Sequence, residues 1–310
     1  MKADSDWFEA DDGRRIFVYT WLPDTGAPRA VVHIAHGLAE HAARYARLAD
    51  ALTSAGFAVY ANDHRGHGRT AHTEEDLGYF AGSDGWMRVV RDLDQMIVTE
   101  RDMHPGAPCV LLGHSMGSFL TQTLMYARGD RLDAAVLSGS NGKPGGLASV
   151  GRLIARLERL RLGKHGRSKL LANMTFGAFN KPFAPQRTEF DWLSRDEAEV
   201  DKYIADPLCG FEVTTQLWID LLDGTSRNFR PGNLAGISKD VPLYLFAGER
   251  DPVGEFGKGM RRLHDGYRAL GLKDVTMKLY PDGRHEMLNE TNRDEVTADL
   301  LAWLDARFPA

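Results

Sequence analysis

The chain of 310 residues is poor in cysteine, with only Cys109 and Cys209. Two thiols so far apart build no disulfide framework, and free buried thiols in a reducing cytoplasm are expected. No apolar run approaches the length of a membrane span. The opening MKADSDWFEADDG is acidic and carries no apolar segment behind a basic start, so no secretory signal peptide is expected. There is no excess of positive charge: the formal net charge is -5, which argues against nucleic acid as a partner. No internal repeat or low-complexity tract is visible. No glycine-rich loop carries the Walker lysine, and no dinucleotide fingerprint follows the first strand of the alternation, which excludes those phosphate-binding motifs. What remains is an ordinary globular composition, long enough for one large domain or a domain with a sizeable insertion.

Short apolar runs alternate with amphipathic stretches. Asp12-Gly13 separates Trp7–Ala10 from Arg15–Leu22 and predicts a hairpin. Strands are expected at Ala30–Ala35, Phe57–Asn62, Cys109–Gly113, Ala134–Ser138, Pro242–Ala247 and Thr276–Tyr280. Helices are expected at His41–Ala55, Trp86–Met103, Met116–Arg128, Gly257–Leu270 and Arg293–Arg307. Near-continuous apolar strands between helices imply an α/β fold with a mainly parallel sheet covered on both faces. In such sheets, sites form beyond the carboxyl ends of the strands. The alternation breaks between Ser140 and Ile237, where helical periodicity continues without clear strands. The expectation is a core of residues 1–141 and 238–310 with an inserted helical cap, 142–237, entered through Gly142-Lys143-Pro144-Gly145-Gly146. Within the cap, Ser194-Arg195-Asp196-Glu197 matches a capping box and predicts a helix through Tyr203.

Gly113-His114-Ser115-Met116-Gly117 stands directly behind the apolar run Cys109–Leu112. The pentapeptide alone arises by chance about once in eight chains of this composition, so its context must carry the reading. A strand before it and a helix after it make it a nucleophile elbow, with Ser115 on a strained turn. Met116 opens the helix, so its backbone N–H is unpaired and able to face an oxyanion. A serine hydroxyl needs a base, and the base needs an orienting acid. Three histidines follow Ser115: His165 in the cap, His264 inside a helix, and His285 on a loop after the last strand. The loop position assigns the base to His285. Asp251, just after the strand ending at Ala247, is the preferred acid, with Glu249 and Asp282 as competitors. The second oxyanion donor is expected after Val31–Gly37, at Leu38, with the neighbouring Ala39 as the alternative.

These pieces resemble the α/β-hydrolase superfamily, and within it the monoacylglycerol lipase and lysophospholipase-like branch grouped with the S33 serine aminopeptidases. The matching segments are His36-Gly37-Leu38-Ala39-Glu40-His41 with Arg44-Tyr45, Asp63-His64-Arg65-Gly66-His67-Gly68, Gly113–Gly117, Gly248-Glu249-Arg250-Asp251-Pro252-Val253, and Gly283-Arg284-His285-Glu286-Met287-Leu288-Asn289-Glu290. The resemblance implies an α/β-hydrolase fold, Ser115 as nucleophile, His285 as base, Asp251 as its partner, and Leu38 and Met116 as oxyanion donors. It also implies a mobile cap between the sixth strand and the acid. Two departures stand out. Ser118 occupies a position that commonly holds glycine, with little effect expected, and Leu38 is larger than the residue often found there.

Other signals lead away from metals. His285-Glu286-Met287-Leu288-Asn289 begins like a zinc-binding His-Glu-x-x-His but lacks the second histidine. His36, His41, His64, His67 and His72 match no metal-site spacing and suggest loop packing, as does His114. Neither a metal nor an organic cofactor is expected. In the cap, Leu147, Val150, Leu153, Ile154, Leu157 and Leu160 form an apolar stripe. Seven basic residues against the single acidic Glu158 lie between Arg152 and Lys169. Such a helix either rests on an anionic lipid surface or packs its stripe over the core. The second reading is preferred, because helices of soluble proteins commonly look like this. The expected activity is hydrolysis of a small apolar acyl ester, such as a monoacylglycerol or lysophospholipid. The rival is an aminopeptidase, which would need a cap carboxylate such as Glu189, Glu197, Glu199 or Glu212 to hold the substrate ammonium. A non-catalytic binding protein on the same fold is the third reading.

Overall fold

A computed structural model of the chain describes residues 1–309 apart from Pro144 and Gly146, and leaves the side chains of Leu147 and Ala148 undescribed. The expected flexible junction therefore lies partly outside the described residues. Strands β1 (Lys2–Glu9) and β2 (Arg15–Leu22) form the N-terminal hairpin, in register Glu9↔Arg15 across the Asp12-Gly13 turn. The alternation then runs β3 (Val31–Ala35), α1 (Ala46–Ser54), β4 (Ala58–Asn62), α2 (Gly85–Met103), β5 (Cys109–His114), α3 (Met116–Ala127) and β6 (Ala134–Ser138). A 3₁₀ turn, Ala42–Tyr45, precedes α1, so the helix expected from His41 starts later.

Eight strands form one sheet in the order β1-β2-β4-β3-β5-β6-β7-β8, where β7 is Leu243–Gly248 and β8 is Val275–Tyr280. Only β1 and β2 run antiparallel to their neighbours. Strands β3 to β7 are buried along their whole length, which is why they read as unbroken apolar runs rather than alternating ones. One apolar cluster gathers α2, α3 and α10 (Lys258–Ala269) on one face. Another gathers α1 and α11 (Arg293–Asp305) on the opposite face. Reversal of the strand order on either side of β3 leaves the ends of β3 and β5 facing a common crevice.

Between β6 and β7 the described chain is helical: α4 (Leu147–Leu162), α5 (Lys169–Ala172), a π-helical turn at Asn173–Gly177, α6 (Ala178–Asn180), α7 (Glu197–Ala205), α8 (Thr215–Arg227) and α9 (Pro231–Ala235). Its one extended feature is an isolated bridge, Arg167↔Thr214. Two expectations need correction. Helix α7 is capped by Asp196, whose carboxylate accepts from Ala198 N and Glu199 N, rather than by Ser194. Ser194 Oγ is drawn away, donating to the Asn289 carbonyl and accepting from Asp196 N. In α4 most of the apolar stripe does not face the core: of its described members only Ile154 packs against it, while Val150 is 51% exposed, Leu153 60%, Leu157 55% and Leu160 80%. The helix packs on α8, with Arg156 reaching Asp223 and Arg159 reaching Gln216, and the side chains it buries include Ala155, fully buried, and Glu158. The small Ala155 side chain admits close approach, and Glu158 is satisfied by Arg161 and the Ser168 hydroxyl, so a carboxylate rather than leucine is buried here.

Candidate active site

Strand β5 delivers the chain to Ser115 at φ 51°, ψ -116°, a region that a residue with Cβ occupies only under constraint. The constraint is visible in the backbone. Ser115 N donates to the Ser138 carbonyl at the end of β6, and the Ser118 hydroxyl donates to the Ser115 carbonyl at 2.6 Å. A Cβ on Gly117 would stand 1.9 Å from the Ala35 carbonyl oxygen, so only glycine lets α3 leave the elbow beside β3. Ser118, expected to matter little, is part of the anchor. Its Oγ also accepts from the Ser140 hydroxyl, whose oxygen in turn accepts from Gln122 Nε2.

His285 follows β8 and is almost completely buried. Its Nδ1 donates to Asp251 Oδ1 at 2.9 Å, and the same oxygen accepts from Val253 N at 2.9 Å. Asp251 is fully buried, and its other oxygen has no partner among the described residues. Burial disfavours the charged imidazole of His285, but the Asp251 carboxylate outweighs it, and the net effect raises the His285 pKa. Neither competitor fills this place: Glu249 reaches Arg261 across the surface at 3.5 Å, and Asp282 is exposed. The ring of His285 lies 5.0 Å from that of Trp192 and 4.8 Å from that of His114. His285 N and Glu286 N donate to the carbonyls of Trp192 and Leu193, so the segment before α7 fixes the loop that carries His285. Of the other histidines, His165 stacks on Tyr79 and His264 bonds Asp265, both away from this centre.

A cavity of about 680 Å³, part of it open to solvent, joins these groups: Ser115, Met116, Leu38 and His285 all line it. Ala39 does not. Its φ is 55°, and its carbonyl faces away to accept from Gly210 N and the Tyr203 hydroxyl, both at 2.9 Å. Leu38 and Met116 thus border one cavity. Aromatic side chains of the segment between β6 and β7 (Phe176, Phe179, Trp192 and Trp218) make one wall with Phe119 and Leu221.

The lining also has a polar part, formed by Glu40, His114, Tyr203 and Glu286. Burial pushes the Glu40 and Glu286 carboxyls up, but Arg44 overrides it and holds both below the ordinary value, as carboxylates. Arg44 donates to Glu40 Oε2 at 2.6 Å and to both oxygens of Glu286 at 2.8 and 2.7 Å. Glu40 also accepts from Gly37 N at 2.6 Å and from the Tyr45 hydroxyl at 2.9 Å, which shapes the turn leading to Leu38. Glu40, Arg44 and Glu286 stand in the matching sequence segments without an assigned role, because only folding brings Glu286 to Arg44. His114 is held neutral, its pKa lowered to about 4 by burial and by repulsion from His285.

Of the histidine-rich first third, His36, His64 and His67 form a buried ring cluster, with His36 and His64 centroids 4.2 Å apart. Loop packing, as expected, explains these three. Among the described residues, His41, Asp206 and Cys209 have donor types suited to a cation, within 4.8 Å of one another. His41 Nε2 already bonds Asp206 Oδ2 at 2.8 Å, and burial raises the Cys209 thiol pKa, so these groups suit each other more than an ion.

The sheet order, the elbow and the buried acid–base pair define an α/β-hydrolase of the serine type. Residues 26–292 match the serine aminopeptidase, S33, family, and the chain belongs to it. It is 32% identical to a monoacylglycerol lipase of Mycolicibacterium smegmatis over 308 residues, covering 96% of this chain and 95% of that one. It is 29% identical to the mouse monoglyceride lipase, covering 96% and 89%. Among solved structures, a thermostable carboxyl esterase from Bacillus coagulans superposes with a TM-score of 0.90 at 25% identity, covering 99% of both chains.

Proposed function

We infer that this chain is a serine carboxylic ester hydrolase that acts on lipid-like esters with a small polyol head group, of the monoacylglycerol type. The observation that carries the reading is the buried Asp251–His285 pair at the edge of a cavity bordered by Ser115, Leu38 and Met116. Ser115 Oγ attacks the ester carbonyl as His285 Nε2 takes its proton. Asp251 holds the ring through Nδ1 and favours the imidazolium. The N–H groups of Leu38 and Met116 receive the oxyanion. The alcohol leaves with the proton from His285, and water, activated by the same histidine, releases the acid from the acyl-serine. No step calls for a metal or an organic cofactor.

The cavity suits an amphiphile. The aromatic lining takes the acyl chain, and the head-group end carries His114 and Tyr203 with Glu40 and Glu286, already bound to Arg44. Two carboxylates against one guanidinium at that end disfavour the phosphate of a lysophospholipid, so the monoacylglycerol type is preferred. Residues 142–237 act as the cap, which supplies most of the aromatic wall. The named cap carboxylates Glu189, Glu197, Glu199 and Glu212 all lie outside this cavity. An aminopeptidase would have to hold its ammonium with Glu40 or Glu286, both committed to Arg44. An intact set of reacting groups also weighs against a purely binding role.

Among the described residues no helix is long and apolar enough to cross a membrane. The exposed leucines of α4, flanked by basic residues, support transient contact with an anionic lipid surface. Two free, buried cysteines fit a cytoplasmic setting. An ester panel varying acyl length and head group, run beside Ser115→Ala, tests the function. Long monoacyl esters of glycerol should be turned over best and Ser115→Ala should be inactive. Turnover of aminoacyl anilides but not of esters would reverse the assignment, and activity surviving Ser115→Ala would refute the mechanism.

A further inference from the structure

A second depression, on the outer side of the loops that carry the acid and the base, holds three arginines. It encloses about 760 Å³, much of it open to solvent, and is lined by Arg195, Arg250 and Arg284, the turn Pro182–Ala184 and Asp282. Arg250 immediately precedes Asp251, and Arg284 immediately precedes His285. The Arg250 and Arg284 guanidinium carbons lie 5.6 and 4.5 Å from the centroid of the same ring, Phe183. Arg195 is neutralised by the fully buried Glu290, with Nε to Oε2 at 2.9 Å. The Arg284 guanidinium donates only to main-chain carbonyls, those of Asp191 and Ser194, and has no carboxylate within salt-bridge distance among the described residues, although the Arg284 backbone N donates to Glu290 Oε1. Arg250 has no side-chain hydrogen bond among them. Burial lowers the Arg284 pKa, and although Glu290 and Asp191 oppose this, repulsion from Arg250 and Arg195 adds to it. The one opposing carboxylate in the depression is the exposed Asp282.

We propose that the Arg195–Arg250–Arg284 depression is an anion site for a phosphate group, either free or as the head group of an anionic lipid. Guanidinium forks match phosphate oxygens in pairs, and a dianion would remove the like-charge repulsion now borne by Arg250 and Arg284. The bound anion joins the Pro182–Ala184 turn of the cap to the loops before Asp251 and His285. It would hold cap and core together without entering the catalytic cavity. Binding is measured directly, so its failure leaves the ester-hydrolase reading untouched.

The test is calorimetry and thermal unfolding of the whole protein with inorganic phosphate, against chloride at matched ionic strength. It is run on the wild type, Arg250→Gln, Asp282→Asn and the surface control Arg268→Gln. Saturable binding with a raised unfolding midpoint is expected. Arg250→Gln should weaken it about tenfold, the effect of losing one charge-assisted contact. Asp282→Asn should tighten it, and Arg268→Gln should leave it unchanged. Vesicles of phosphatidylcholine with or without phosphatidic acid identify the source. Retention that requires phosphatidic acid and falls in Arg250→Gln assigns the site to a lipid head group, while phosphate binding without retention assigns it to the free anion. The proposal is overturned if phosphate does not bind saturably, or if Arg250→Gln binds it as the wild type does.

Discussion

Arg44 and Glu286 form a two-pronged ion pair, at 2.8 and 2.7 Å, that ties the start of the helical segment after β3 to the residue directly following His285. Through Glu40, the same guanidinium fixes the turn that presents Leu38. One buried cation therefore aligns the turn before Leu38 with the loop that carries His285. Removing it strands two buried carboxylates without their counter-charge. Arg44→Met is expected to cost about 3–5 kcal/mol, the usual penalty for breaking a buried pair from one side. Urea unfolding measures this, and a loss below about 1 kcal/mol, typical of a surface pair, would show that the network is wet and dispensable.

Gly248 ends β7 where the β8 loop passes over it, and a Cβ there would meet the Gly283 carbonyl oxygen at 2.0 Å. Arg250 N donates to that same carbonyl at 2.8 Å, so the contact sets the spacing between the acid loop and the base loop. Gly248→Ala must push the two apart. The expected result is destabilisation of about 1–3 kcal/mol from overpacking. It should come with a fall in kcat/KM of about 100-fold, because a small misplacement of reacting groups is costly. Ester kinetics on the folded variant would expose the error if activity were retained.

Gly248 and Arg44 also show where the sequence stops being legible. Strands β3 to β7 are readable because burial on both faces leaves a continuous apolar run. Ser115, Asp251 and His285 can be picked out because each lies just beyond a strand end, and the fold brings Asp251 to His285. Long-range pairs leave no local trace: nothing near Gly248 announces Gly283, and nothing near Arg44 announces Glu286. Ser118 looks like a harmless replacement of glycine until its hydroxyl is seen on the Ser115 carbonyl. Helix α4 misleads for another reason. A stripe at Val150, Leu153, Leu157 and Leu160 has the same period whether it faces a core or an external apolar phase. Only Ala155 and Glu158, on the other face, reveal which side packs.

That exposed stripe leads to a sharp expectation. Replacing Leu153 and Leu157 together by Ser should change stability by no more than about 0.5 kcal/mol each, as for surface sites, against about 2–5 kcal/mol for a truncated core leucine. Hydrolysis of a short, water-soluble ester should be unaffected. Hydrolysis of a long-chain monoacylglycerol presented in anionic vesicles should fall several-fold, together with vesicle co-sedimentation. Equal loss on both substrates would place the leucines in catalysis or folding rather than at a lipid surface.

The pH dependence of the reaction reports on His285 and Asp251 directly. The base must be neutral to accept the Ser115 proton, so kcat/KM falls as pH drops through the His285 pKa. Burial favours the neutral ring, but Asp251 at 2.9 Å favours the charged one and prevails, so this limb lies above the ordinary histidine value of about 6.5. In Asp251→Asn the counter-charge is gone while burial remains, and the limb should shift to lower pH. The rate on the plateau should drop by about 10⁴-fold, since an amide no longer enforces the tautomer with its proton on Nδ1. The two changes run in opposite directions: the variant is far slower yet keeps its activity into more acidic solution. A pH profile of kcat/KM for both proteins separates them. An unmoved limb in Asp251→Asn would mean that Asp251 only packs against the ring and that another group sets its charge.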